Sequence, residues 1–269
     1  MSTDIRTQTV PSRTDSLIRC GAVCFVGAGP GDAELLTIKA LRAIQSAEVI
    51  LHDRLVSDEI LALAGPQARL VSVGKEGFGP SMTQEEINRL IVLYAYAGVR
   101  VVRLKGGDPA IFGRLDEEVE ALELEGIAWS VVPGITAASA AVAAVGQSLT
   151  SRGRNASLRI LTGHVMEGFA DHDWRALARP GEVAAIYMGK KAARYIQGRL
   201  MMHGAAPDTP VTLVANASRA DQQVLASSLA TLSQDLAEAN LTGPALTLFG
   251  IAPRAAAPAL TEIRKQEVS

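Results

Sequence analysis

The segment Lys105-Gly106-Gly107-Asp108-Pro109 has the residue types of a ligand loop. Gly106 and Gly107 can take positive φ and let a ligand approach the main chain with no Cβ in the way. Asp108 offers a carboxylate to hydroxyls or to a cation, and Pro109 stiffens the exit. The same string also suits a plain strand-to-helix turn in which Asp108 is the N-cap. Pro133-Gly134-Ile135-Thr136-Ala137 repeats the device, with Thr136 either capping a helix or meeting a ligand. Gly27-Ala28-Gly29-Pro30-Gly31-Asp32 looks like a dinucleotide turn, but Gly-x-Gly-x-x-Gly requires glycine where Asp32 stands. Pro30 also lacks the N–H that a pyrophosphate would use. NAD binding fails on both counts; the structural alternative for this turn is close packing of the next helix on the strand.

Other reactive side chains are scattered. Asp53 follows an apolar run and could suit a ribose hydroxyl. His164 ends another run, where it either meets a ligand or completes the strand end. His52 and His203 have no partners at metal spacing, so no metal site is expected. Cys20 and Cys24 lack a second pair or a nearby histidine and read as reduced thiols.

The loops are placed by an alternation of short apolar runs and longer segments of helical period. Runs at 22–26, 48–51, 69–73, 99–104 and 128–132 read as strands that end in Gly, Asp or Pro. Between them, Leu35, Ile38, Leu41, Arg42 and Ile44 predict a helix with an apolar stripe. Thr83 with Glu86 forms a capping box, and Ile87, Leu90, Ile91 and Tyr94 give that helix its buried face. Residues 115–124 read as an acidic helix, and 137–145 as an alanine-rich one. Strand–helix alternation implies a parallel sheet with right-handed crossovers. Ligands of such sheets bind beyond the carboxyl ends of the strands, where all three glycine loops fall.

Past residue 145 the rhythm changes. Runs at 158–162, 183–188 and 211–215 still read as strands joined by helices. Runs at 223–227 and 245–250 read as short strands with only brief connections, which predicts a second, mixed sheet. The division expected is a disordered tail over 1–20, an N-terminal domain over 21–135, a C-terminal domain over 136–255 and a frayed end over 256–269.

The composition fits a globular α/β chain. Of 269 residues, 48% are hydrophobic and 20% charged, enough to form a core without staples. Aromatics are only 4%, so small and branched side chains must fill both faces of a buried sheet. A net charge of −2 with no basic run argues against nonspecific nucleic-acid binding. No apolar run reaches membrane-spanning length, and the polar start lacks the apolar core of a secretory signal. A cytoplasmic location is expected.

The strings Val26 to Asp32, Arg103 to Pro109 and Val132 to Ser139, in this order and spacing, resemble those of the tetrapyrrole methylases. The resemblance runs from about Gly21 to Pro253. Leu51-His52-Asp53-Arg54-Leu55-Val56, Val73-Gly74-Lys75, Gln84 to Asn88 and Ile111-Phe112-Gly113-Arg114 are similar to the branch that acts on uroporphyrinogen III. The resemblance implies a two-domain class III methyltransferase fold, a parallel N-terminal sheet, a mixed C-terminal sheet and an active site in the cleft. It implies S-adenosylmethionine as cofactor, S-adenosylhomocysteine as product, no metal, a tetrapyrrole substrate, and a homodimer. Pro30, Gly106, Gly107, Asp108, Ile111, Thr136 and Ala137 would line the cofactor pocket, closed by Met188, Ala217 and Ala245. Ala217 stands where relatives often have glycine, and Ala110 where many have a bulky residue.

The implied reaction is C-methylation of uroporphyrinogen III at C2 and C7 to give precorrin-2, for cobalamin or sirohaem. Asp53 matches the position assigned to a base that takes a pyrrole N–H proton. Its structural alternatives are capping a helix near Ser57 or pairing with Arg54. Lys75 matches a proposed proton donor, but binding or orienting a substrate carboxylate is the favoured role. Arg54, Arg114, Arg152 and Arg154 are candidates for the substrate's carboxylates, since guanidinium forks match them. The dehydrogenase and chelatase module fused to some relatives is not expected within these residues. A sister corrin methylase, a macromolecule methylase and a noncatalytic ligand-binding module are the competing readings.

Overall fold

The computed structural model describes residues 22–74, 82–165 and 167–254. Lys75 and both tails lie outside the described residues.

The first half builds one parallel sheet. Its strands are β1 (Val23–Gly27), β2 (Val49–His52), β3 (Arg69–Ser72), β4 (Val101–Lys105) and β5 (Trp129–Val132). They lie in the order β3-β2-β4-β1-β5, and every pairing is parallel. Helices α1 (Ile38–Ser46) and α2 (Asp58–Leu61) follow β1 and β2; α3 (Gln84–Tyr96) and α4 (Leu115–Leu124) flank β4. Strand period 2 divides the core into two layers. Cys24, Val26, Ile50, Val102 and Leu104 pack with α1 and α2, while Val23, Phe25, Leu51 and Val101 pack with α3 and α4.

The second half begins with α5 (Ala137–Ala144), whose buried alanines join Val183, Ala185, Val214, Leu246 and Leu248. Then come β6 (Arg159–Thr162), the hairpin β7 (His164–Val165) and β8 (Gly168–Phe169), α6 (Trp174–Leu177) and β9 (Ala184–Tyr187). They are followed by α7 (Ala193–Met202), β10 (Pro210–Ala215), β11 (Gln223–Ser228), α8 (Leu232–Ala239) and β12 (Ala245–Phe249). The larger sheet has the order β11-β10-β12-β9-β6; β6 runs parallel to β9 and the other pairings are antiparallel. A parallel sheet followed by a mixed one is the architecture that the sequence predicts.

Three sequence expectations are corrected. The stripe assigned to α1 is displaced: Ile38 is 70% exposed, and the buried face is Ala40, Ala43 and Ile44. Leu35 belongs to a separate 3-10 turn, Ala33–Leu35, capped by the Asp32 carboxylate, which accepts from Glu34 N at 2.8 Å. The helical register therefore starts later than the apolar spacing suggests. The connection from β11 to β12 is not brief, since it carries α8, a two-turn helix whose stripe is Leu232, Leu236 and Ala239. The capping box at Thr83 and Glu86 forms as read.

The carboxyl ends of β1, β4 and β5 meet as bare main chain. A Cβ on Gly27 would stand 2.5 Å from Gly134 N and 2.8 Å from Gly107 O; one on Gly134 would stand 2.2 Å from Gly107 O. Gly107 also bridges Gly29, donating to its carbonyl at 2.7 Å and accepting from its N–H at 3.1 Å. These neighbours are backbone and cannot swing aside. Gly134→Ala is therefore expected to lower stability by about 3 kcal/mol, the upper range for overpacking. Urea denaturation checks this against Gly198→Ala in α7, where an added Cβ meets nothing within 4 Å and should be neutral or stabilising.

Candidate functional site

A cavity lies between the two sheets, and Gly29 and Gly107 carry the glycine junction into its wall. Gly29, Pro30, Leu55, the Gly106-to-Asp108 loop, Ile111, Phe112, Gly113, Thr136 and Ala137 line one side. Tyr187, Met188, Val214, Asn216, Ala217, Arg219, Pro244, Ala245 and Leu246 line the other. All ten residues that the family resemblance implies for a cofactor are among them. Most of the lining is apolar side chain or glycine, so polar recognition there must come largely from main-chain groups.

Asp108 answers the question its loop raised. Its Oδ1 accepts from Ala110 N at 2.8 Å and its Oδ2 from Gly134 N at 3.0 Å. The carboxylate thus ties the loop after β4 to the loop after β5. It is not a helix N-cap, because α4 begins at Leu115, with Arg114 in the cap position. Thr136 is the N-cap residue of α5, but its side chain makes no capping bond. Its hydroxyl instead pairs with the Tyr187 hydroxyl, which also accepts from Ala138 N at 3.1 Å.

Several contacts close the cleft. Asp32 N donates to Ser218 Oγ at 3.2 Å, and Arg219 Nη2 donates to Leu55 O at 2.5 Å. The rings of Phe112 and Tyr187 lie 5.2 Å apart, centre to centre. Phe112, Met188 and Asn216 line the cavity with positive φ of 53°, 53° and 50°. Left-handed backbone costs a non-glycine residue roughly 1–2 kcal/mol, so three such residues at one cavity mark a shape held by its surroundings.

Asp53, at the end of β2, does not line this cavity and caps no helix. Ser57 is the N-cap residue of α2 without a side-chain capping bond. Nor does Asp53 pair with Arg54: its Oδ1 accepts from Arg103 Nη2 at 2.5 Å. Arg103 leads to a buried charge cluster that the sequence reading missed. Arg103, Lys105 and Glu118 are respectively 2%, 2% and 1% exposed. Glu118 Oε1 accepts from Arg103 Nε at 3.2 Å, Arg103 Nη2 at 3.1 Å, Lys105 Nζ at 2.8 Å and Gln84 Nε2 at 3.3 Å. Burial opposes the charge on Arg103, but Asp53 and Glu118 outweigh it and hold its pKa above the usual value. Burial, with the charge of Arg103, pushes the Lys105 pKa down despite Glu118. The signal was in β4, where two cations at period 2 interrupt an apolar strand.

The remaining candidates lie outside the cavity. Arg114 forms an exposed bidentate pair with Glu117, with bonds of 2.7 and 2.6 Å. Arg154 is held locally by Ser148 O and Asn155 Oδ1. Arg54 packs beside Gly74, and Arg152 is exposed. His164 meets Phe169 edge-on across the β7–β8 hairpin. Cys24 is buried, and its thiol pKa is raised by burial. Among the described residues no group of three His, Cys, Asp or Glu is placed to hold a metal, and no helix is long and apolar enough to cross a membrane.

Residues 22–233 match the family model of the Tetrapyrrole (Corrin/Porphyrin) Methylases. Siroheme synthase 2 of Aeromonas hydrophila subsp. hydrophila is 50% identical over 230 residues, which cover 86% of this chain and 48% of that protein. Siroheme synthase of Acinetobacter baylyi is 47% identical over 86% of this chain and 50% of its own. The chain thus spans about half the length of the curated relatives it matches. Among solved structures, uroporphyrin-III C-methyl transferase of Thermus thermophilus, complexed with S-adenyl homocysteine, is similar with a TM-score of 0.74 and 38% identity. That match covers 85% of this chain and 97% of the other. The cobalt precorrin-4 methyltransferase CbiF aligns with a TM-score of 0.77 and 26% identity, covering 86% of this chain and 95% of its own.

The charge cluster generates a stability prediction. Glu118→Gln would leave two buried cations with only the partly exposed Asp53 to offset them. The expected loss is about 3–5 kcal/mol by urea denaturation, the usual result of removing one partner of a buried ionic group. A loss below about 1 kcal/mol would contradict the view that Glu118 neutralises both cations.

Proposed function

The chain belongs to the tetrapyrrole methylase family, and on that premise we propose that it C-methylates uroporphyrinogen III at C2 and C7, giving precorrin-2. The observation that carries this reading is one cavity, built from loops of both halves, lined by all ten residues marked for a cofactor. Pro30, Gly106, Gly107, Asp108, Ile111, Thr136 and Ala137 would hold S-adenosylmethionine from one side, and Met188, Ala217 and Ala245 from the other. The fit rests on the lining: glycine main chain and small apolar side chains suit an adenosine, and the Asp108 carboxylate is already engaged in shaping the floor. When bound, the cofactor supplies a methyl group on a positive sulfonium.

The protein's own part is mainly orientation, which can lower a barrier by up to about 7–11 kcal/mol in ideal cases. In this reading Asp53 accepts the pyrrole N–H proton as the ring carbon is methylated, a step that general base catalysis assists. Lys75 binds a substrate carboxylate or donates a proton. A lysine with a reference pKa near ~10.4 is poorly matched to acid catalysis at neutral pH, which favours binding. Arg54, Arg114, Arg152 and Arg154 meet the other carboxylates. The Arg114–Glu117 pair is surface-exposed, and such pairs are worth about 1 kcal/mol or less, so a substrate carboxylate can displace it. The reading carries with it a cytoplasmic homodimer and a product destined for sirohaem or cobalamin.

Incubation with S-adenosylmethionine and uroporphyrinogen III, followed by mass spectrometry, should show a gain of two methyl groups. No gain, with cofactor bound, would favour a sister methylase acting on another tetrapyrrole. Asp53→Asn and Lys75→Ala should keep S-adenosylhomocysteine binding by titration calorimetry, and Asp53→Asn should lose turnover by about a hundredfold or more. Full rates in both would contradict the assigned roles.

A further inference from the structure

Every donor of Arg103 is committed. A guanidinium has five N–H groups. Nη1 donates to Leu104 O at 3.2 Å and Leu51 O at 3.4 Å; Nε and one Nη2 hydrogen go to Glu118. The last Nη2 hydrogen goes to Asp53 Oδ1 at 2.5 Å. Two of these acceptors are main-chain carbonyls at the ends of β2 and β4, and the third is a carboxylate buried between β4 and α4. The plane of the guanidinium is thus set by sheet main chain and by a carboxylate only 1% exposed. Its one remaining N–H points at a side chain that is 33% exposed, and the other partners are interior.

Stability alone does not account for such a residue. Val101, two positions earlier on the same face of β4, is buried in the apolar cluster formed with α3 and α4. Replacing a buried ionic group by well-packed apolar residues is often neutral or stabilising. We propose that Arg103 is a positioning residue: it clamps Asp53 Oδ1 and so fixes where the carboxylate faces, two residues before Leu55 at the cavity wall. This rests on the reading of Asp53 as the base. Arg103 does not line the cavity, so its effect on the reaction passes through Asp53. The clamp requires a planar fork, because a lysine ammonium cannot reach two strand carbonyls, Glu118 and Asp53 together.

The test is Arg103→Lys, which keeps the charge, made alone and with Asp53→Asn. S-Adenosylhomocysteine affinity should stay within twofold of wild type, while kcat falls about a hundredfold with little change in the KM for the cofactor. In the Asp53→Asn background the same substitution should cost less than threefold, since residues that act as a unit are not additive. A further large loss in that background would overturn the proposal, as would full activity of Arg103→Lys. A second readout is independent of turnover: carbonyl NMR of selectively labelled aspartates. The Asp53 resonance should move in Arg103→Lys and the Asp108 resonance should not. An unmoved Asp53 signal overturns the clamp, and a moved one supports it even if the wild-type protein methylates no tetrapyrrole, which would count against the proposed function alone.

Discussion

The carboxyl ends of β1, β4 and β5 approach so closely that no side chain fits between them. Gly27, Gly107 and Gly134 meet backbone to backbone, and Asp108 ties the last two loops through the Gly134 N–H. Everything at the cavity follows from this contact. With no side chains at the junction, the loops form a smooth floor beyond the strand ends, where parallel sheets present their ligands. The second half of the chain covers that floor. Tyr187, Met188 and Ala217 supply its roof, and Ser218 and Arg219 reach back to Asp32 and Leu55.

Within the apolar layer between the sheet and α3 and α4 lies a group of charges. Arg103 and Lys105 enter the face of the sheet covered by α3 and α4, and one oxygen of Glu118 serves both. Such a cluster is expensive to desolvate and tolerates no missing partner. It also holds a direction, which an apolar cluster cannot do. Asp53 is the carboxylate of the group that is partly exposed, so Arg103 links the interior to a residue at the strand end. The cluster and the glycine junction share β4, which places the cavity-lining loop Gly106 to Asp108 and Arg103 on one strand.

Much of the fold was legible in the sequence because burial on both faces of a parallel sheet leaves near-continuous apolar runs. The capping box at Thr83 was legible because its two bonds are local. The loops that line the cavity were legible too, since glycine gathers with aspartate, proline or threonine just past the strand ends. Ile38 misled because apolar spacing alone does not show where a helix begins, and Asp32 diverts the chain through a 3-10 turn first. Helix α8 has only eight residues, and its stripe is no more than Leu232, Leu236 and Ala239. Glu118 sits in an acidic helix that reads as solvated, and only the meeting of α4 with β4 buries it. The closing contacts of Tyr187 and Arg219 depend on how the two halves face one another, which no local pattern carries.

The central claim is that the glycine junction and the roof around Met188 and Ala217 form the cofactor site. A crystal structure of the protein with S-adenosylhomocysteine tests it most directly. The predicted result is ligand density between Pro30, Gly106, Gly107 and Ile111 on one side and Met188, Ala217 and Ala245 on the other, with Asp108 still bonded to Gly134. Ligand density elsewhere, or a junction rebuilt to admit it, would contradict the account.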